Sequence, residues 1–151
     1  MSDFDYYIFI DYSEEVLGYF IIKKEEIVNI MPKISKFSHY RELKYKKAYL
    51  NSIRRIIEEN KIIESFLKLK ITEIRHTLEI YADLVEFLKN NSDSLIFISI
   101  DDNQYSNFER LVKNVGNNKI VKEGQLKKYS KEYKLSLIID TLVNIKRLKK
   151  K

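Results

Sequence analysis

Four carboxylates in this sequence stand where an α/β fold can put them to chemical use. Two apolar runs, Tyr6-Tyr7-Ile8-Phe9-Ile10 and Leu95-Ile96-Phe97-Ile98-Ser99-Ile100, each end in acid, at Asp11 and at Asp101-Asp102. Ligands of open α/β sheets bind in the crevice beyond the carboxyl ends of the strands, so Asp11 and Asp101 are candidates to face one cavity. Asp140 comes from the last helical segment, and Glu42 opens the first, within YRELKYKK. Carboxylates gathered from separate elements repel one another, a cost that Mg²⁺ or Mn²⁺ offsets. In two-metal sites such ions activate a water and stabilise the leaving oxygen of a phosphodiester. Each acid alone also has a plainer reading: Asp after a strand is a turn former, Asp102 a helix cap, Asp140 a solvated helix residue. Their joint placement favours a site.

Other chemistries are poorly supplied. With no Cys, a disulfide framework, a thiolate metal site and a Cys nucleophile are all excluded. No phosphate-binding or dinucleotide glycine pattern occurs, which excludes nucleotide hydrolysis of the Walker type. His39 and His76 are isolated, and Ser13 and Ser99 have no evident His–acid relay. The 11 Tyr and 8 Phe fall mostly at core spacing, which leaves Tyr12, Tyr105 and Tyr129 as the aromatic residues available for base stacking.

The elements that must position the acids follow from hydrophobic periodicity. Continuous apolar runs read as strands buried on both faces, which assigns YYIFI and LIFISI to the interior of one mixed sheet. Val16–Ile22 reads as a second strand and Glu26–Met31 as a third, stopped by Pro32. A helix with a basic outer face is predicted from about Tyr40 to Glu59. Residues 62–71 lean to a strand, which leaves open whether LIFISI lies directly beside YYIFI. Thr72 is the expected N-cap of a helix reaching Asn90, and Ser106 with Glu109 has capping-box spacing ahead of a short helix ended by Gly116. Lys119–Lys122 reads as one more short strand. In the last helix, about Leu135 to Leu148, the stripe Leu135, Ile138, Ile139, Leu142 and Ile145 is expected to be buried and Asp140 to lie well off it.

A chain of 151 residues suits one domain, residues 1–151, since domains commonly run to about 100–200 residues. The order of elements predicts an α/β mixed sheet with flanking helices. MSDFDYYIFIDYSEE has acidic residues where a signal peptide has basic ones, and no stretch approaches the ~18 apolar residues of a membrane span. A cytoplasmic protein with no membrane association is expected. The net charge of +6 is segregated: residues 119–151 carry 11 Lys/Arg against 3 Asp/Glu, and residues 33–55 carry 8 against 1. Clustered cations of this kind are the footprint of phosphate-backbone binding, and they nominate Lys44, Lys47, Arg54, Arg55, Lys127, Lys128, Lys131 and Arg147. The alternative is a set of solvated Lys-rich helix faces.

Three segments also carry a resemblance, with a fourth more weakly. IFIDYSEEVLGYFII looks like the opening of the DUF3800 family of ribonuclease H-like proteins, in which a first strand ends in Asp before a turn and second strand. LIFISIDDNQYSNFERLV resembles that family's later strand ending in Asp, LSLIIDTLVNIKR its last helix with an Asp and a basic end, and RELKYKKAYLNSIRR a weaker feature, an acid before a Lys-rich helix. The resemblance implies a ribonuclease H-like fold and a metal-dependent nuclease site, with Asp11, Asp101 and Asp140 as catalytic and metal-binding residues, Glu42 as a further catalytic residue, and Mg²⁺ or Mn²⁺ as cofactor. Tyr12 stands where the family often has a second acid, Glu14 where it usually has Gly, and Leu137 where it often has Gln before the helix Asp. Those departures keep open an inactive nucleic-acid-binding protein, or a protein-interaction module, on the same fold. DNA against RNA and oligomeric state are not legible.

Overall fold

The run Tyr7–Ile10 forms the centre of a sheet because none of its four side chains is more than 2% exposed. The computed structural model describes residues 4–91, 93–99, 102–113, 115, 118–128 and 130–149, so Ile100, Asp101, Gly116 and Tyr129 lie outside the described residues. Strand β1 (Tyr6–Ser13) turns into β2 (Val16–Lys23), which leads to helix α1 (Lys24–Ile30) and a 3-10 turn at Met31–Lys33. A second 3-10 turn, Tyr40–Glu42, precedes α2 (Lys46–Glu59), and a third, Ile62–Ser65, precedes β3 (Lys68–Glu73). After a short turn at Ile74–His76 come α3 (Thr77–Asn90), β4 (Ser94–Ser99), α4 (Asp102–Val112), β5 (Asn118–Lys122) and α5 (Lys131–Lys149).

Among the described residues the five strands form one mixed sheet in the order β3-β2-β1-β4-β5. β2 runs antiparallel to both β1 and β3, while β1, β4 and β5 are mutually parallel. YYIFI and LIFISI are thus interior neighbours, in register from Tyr6↔Ser94 to Asp11↔Ser99. β3 pairs with β2 on the far side and does not separate them. Helices cover both faces, making this a single α/β domain. One face of the sheet carries Tyr7, Phe9, Phe20, Ile22 and Phe97 against α1, α2 and α5. The other carries Ile8, Ile10, Tyr19, Ile21, Ile96 and Ile98 against α3 and α4. A row of rings stiffens the first face across three strands, with Phe9 stacked on Phe20 at 5.0 Å and on Phe97 at 4.9 Å. No helix among the described residues is long and apolar enough to cross a membrane.

Four expectations are corrected. Glu26–Met31 is not a strand: Ile27 and Ile30 are buried at helical spacing while Val28 between them is 76% exposed, and Glu25 and Glu26 favour a helix N-terminus. Thr72 is a strand residue paired with Leu17, so α3 starts five residues later at Thr77. Ser106 and Glu109 lie inside α4, whose buried stripe is Phe108 and Val112. Asp140 is buried rather than off the stripe, because every residue of α5 from Leu135 to Asn144 is buried. A single stripe assumes one covered face; here the sheet covers one side of α5 and the Tyr40–Glu42 turn with Tyr49 of α2 covers another, through Tyr40 N–H to Asp140 and Tyr49 Oη to Thr141 Oγ1 at 3.0 Å.

The close seating of α5 depends on Gly18, which pairs with Asp11 in the hairpin. A Cβ at position 18 would meet Ile71 Cγ1 and Val143 Cγ1 at 3.0 Å and the Lys70 carbonyl at 3.2 Å. Gly18→Ala is expected to destabilise the protein by about 1–3 kcal/mol, the usual cost of overpacking. The measurement is urea unfolding, read as a lower midpoint at unchanged slope; a neutral substitution would mean that α5 is not held at contact distance.

Candidate active site

The site rests on a match of two periodicities. Side chains on one face of a strand recur about every 6.6 Å, and those a turn apart on a helix about every 6 Å. β1 presents Asp11 and Ser13 toward α5 at the first spacing, and α5 presents Asp140 and Asn144 at the second. They meet pairwise: a hydrogen bond joins the Asp11 and Asp140 carboxyls, and Ser13 Oγ donates to Asn144 Oδ1 at 2.8 Å. Asn144 Nδ2 donates to the Asp140 carbonyl at 2.8 Å, which fixes the orientation of its amide.

Asp11 and Asp140 are each only 6% exposed. Tyr12 N–H donates to Asp11 Oδ1 at 2.8 Å and Tyr40 N–H to Asp140 Oδ2 at 2.8 Å. Burial pushes the Asp140 carboxyl above the usual carboxylate range, while the Tyr40 N–H, the His39 ring, the Asp11 hydrogen bond and the Arg41 guanidinium pull it back. A hydrogen bond between two carboxyls requires one of them to carry a proton, and that is the direction in which burial pushes Asp140. His39 Nδ1 lies 4.0 Å from Asp140 Oδ2 and also accepts Arg41 N–H at 3.3 Å.

A cleft of about 530 Å³ opens over the pair, with Arg41, Lys46 and Arg147 at its sides. Arg147 donates to Asn144 Oδ1 from Nε at 3.3 Å and Nη2 at 3.0 Å, and its Nη1 lies 3.5 Å from Glu14 Oε1. Its guanidinium and the Lys46 ammonium each lie 5.6 Å from the Tyr40 ring centre. Glu14, in the two-residue hairpin turn, has φ of 54°, a left-handed conformation that favours the Gly expected there by resemblance. A second groove of about 430 Å³, between α2 and α5, shares Tyr40 and Lys46 with the first.

Of the acids singled out in the sequence, Asp11 and Asp140 come together. Asp101 lies outside the described residues; Ser99, two positions before it, pairs with Asp11 and lines the cleft. Glu42 does not join them: it is exposed and lines a different depression with Lys128 and Lys134. Among the described residues no group of three or more His, Asp or Glu side chains is arranged to hold a metal ion. Of the nominated cations, Arg147 lines the acid-bearing cleft and Lys47 and Arg54 the neighbouring groove. Lys44, Arg55, Lys127 and Lys131 are exposed and line none of these three depressions.

Sequence reasoning missed His39, Tyr40, Ser13 and Asn144. The last two had a legible signal, since Asp140 and Asn144 are polar residues one turn apart in an otherwise apolar helix, and Asp11 and Ser13 alternate on one strand face. His39 and Tyr40 had none, because 100 residues of chain separate Tyr40 from Asp140. No protein-family model matches the chain, and no curated protein matches it.

The raised Asp140 carboxyl sets a direction for stability. At low pH the folded and unfolded chains both keep this proton. As pH rises past the ordinary carboxylate range the unfolded chain releases it first, so folding loses stability until the buried group also ionises. Asp140→Asn keeps an acceptor for Tyr40 N–H and gives Asp11 a donor. It is expected to raise stability near neutral pH by about 1 kcal/mol, or roughly 2–4 °C in Tm for a domain of this size. The gain should shrink toward pH 3 in thermal unfolding; a loss of stability at neutral pH would contradict the upward shift of Asp140.

Proposed function

We propose that this protein is a metal-dependent phosphodiesterase, a nuclease acting on DNA or RNA, on a ribonuclease H-like sheet. The observation that carries the reading is the Asp11–Asp140 pair, two buried carboxyls from different elements meeting at the base of an open cleft with cations around it. The strand order supports the same reading, because it sets β1 and β4 side by side and parallel with their carboxyl ends at the cleft, and lays the last helix across β1.

The residues present fit a hard cation. Mg²⁺ keeps several waters and is commonly bound through one or two carboxylates together with substrate phosphate oxygens, which is what Asp11 and Asp140 offer once their shared proton is released. Asp101 is the further ligand the reading calls for, two residues beyond Ser99 in the chain. When bound, the ion would activate water and neutralise charge at the phosphorus. Tyr40 N–H and Tyr12 N–H hold the two carboxyls in place, and Arg41, Lys46 and Arg147 attract the phosphate backbone.

A non-catalytic nucleic-acid-binding protein is the second reading, favoured by Tyr12, whose phenol follows Asp11 where the resembling family often carries another acid. Asp11→Asn separates the two. On the nuclease reading wild-type protein gains Tm on addition of Mg²⁺ or Mn²⁺ and cleaves DNA or RNA, whereas Asp11→Asn does neither while folding normally, since Asn lacks the charge a hard cation requires. Wild-type protein that takes up no divalent metal and cuts neither polymer across metals and pH would leave the binding reading.

A further inference from the structure

We infer that the groove between α2 and α5 seats an unpaired base, so that the nucleic acid this protein takes is single-stranded. The inference rests on the nucleic-acid reading of the adjoining cleft and deepens it.

The groove combines two properties that a duplex does not satisfy together. Its apolar lining is Leu50, Ile145 and Leu148 beside the Tyr40 ring, an apolar surface set into a concavity. Its charged lining is Lys46, Lys47, Arg54 and Lys149, with no Asp or Glu among the described residues. Four cations without an acid select a polyanion. An apolar hollow between them selects a polyanion that also offers a flat apolar body, and an intact duplex keeps those bodies stacked inside and presents phosphate and sugar. A single strand presents both, and proteins that bind one combine a cationic groove with apolar and aromatic seats for bases. The volume of about 430 Å³ is within the range of sites that take small organic groups.

The groove is also joined to the acid-bearing cleft. Tyr40 and Lys46 line both, and the Tyr40 ring holds Lys46 and Arg147 each at 5.6 Å, so two cations stand at the junction. A base in the groove would direct the adjoining phosphate past this pair toward Asp11 and Asp140. Tyr40 connects the two in a second way, because its backbone N–H binds Asp140 while the residue also lines the groove.

The test is equilibrium binding of labelled oligonucleotides to Asp11→Asn protein, and to wild type in EDTA, so that affinity is read with cleavage off. Single strands are expected to bind at least about tenfold tighter than duplexes of equal length. Leu148→Gln puts an amide into the apolar hollow near the end of α5 and should lower single-strand affinity about fivefold or more, with duplex binding unchanged. Lys47→Glu with Arg54→Glu should weaken single-strand binding and reduce its salt slope by roughly 1.4, or 0.7 for each phosphate no longer neutralised. Thermal unfolding checks that each variant is folded. Duplex binding equal to or tighter than single-strand binding, wild-type affinity in both sets of variants, or no binding to either form at low salt would each overturn the inference. Single-strand preference without any cleavage by wild type in Mg²⁺ would sink the phosphodiesterase reading and leave the groove intact; cleavage with duplex preference would do the reverse.

Discussion

The approach of α5 to the β1–β2 hairpin is the constraint from which the site follows. Only the missing side chain at Gly18, opposite Asp11, lets Val143 come as near as it does. Once the helix lies there, its two polar residues one turn apart are almost wholly buried, at the base of the cleft. They must find partners on β1, which supplies a carboxyl and a hydroxyl at the matching interval. A buried polar group without a partner costs about 1–3 kcal/mol, more if charged, so this pairing also fixes the axial position of the helix on the sheet. The segment between β2 and α2 then closes over the outer side of α5, with Tyr40 N–H donating to Asp140 Oδ2.

Charge is arranged in layers around that contact. The acids lie at the base of the cleft, and Arg41, Lys46 and Arg147 stand around them, Arg41 drawing the Asp140 carboxyl back toward ionisation. Arg147 is the most constrained of these, 12% exposed in its side chain, forked onto Asn144 and facing Glu14. Glu14 holds that position in a left-handed turn conformation that costs a non-glycine residue about 1–2 kcal/mol.

How much of this was legible follows from the range of each signal. YYIFI and LIFISI announced buried strands because burial on both faces erases alternation, a property of five or six residues that needs no tertiary information. Asp11 was legible for the same reason, as the point where such a run breaks. Glu26–Met31 misled because a seven-residue helix shows barely two turns, and one exposed residue between two buried ones also fits a strand. Asp140 misled in the opposite sense. Periodicity measures how apolar a face is, and α5 is buried on faces that are not apolar, since a second layer supplies hydrogen-bond partners there. The isolation of His39 in sequence was equally uninformative, since its neighbour in space is Asp140. Contacts across 100 residues leave no local pattern, and these are the contacts that make the site.

The contact between the Asp11 and Asp140 carboxyls bears directly on the proposed chemistry. The hydrogen-bonded pair and a metal-bound pair need the same lone pairs, so proton and cation compete for one set of oxygens. Burial favours the proton, because the protonated pair places a single negative charge, rather than two, in a poorly solvated position. A divalent cation reverses that preference, since two carboxylates against a double positive charge leave the site neutral. On the metal-dependent reading, cation binding would release a proton, and apparent affinity would rise with pH until the pair is ionised without help. The groups that pull Asp140 back toward ionisation, the Tyr40 N–H, the His39 ring and the Arg41 guanidinium, thereby acquire a role beyond fold stability. On the metal-dependent reading they would lower the pH at which the pair exchanges a proton for a metal, while the burial that opposes them disfavours two adjacent charges in the empty pair.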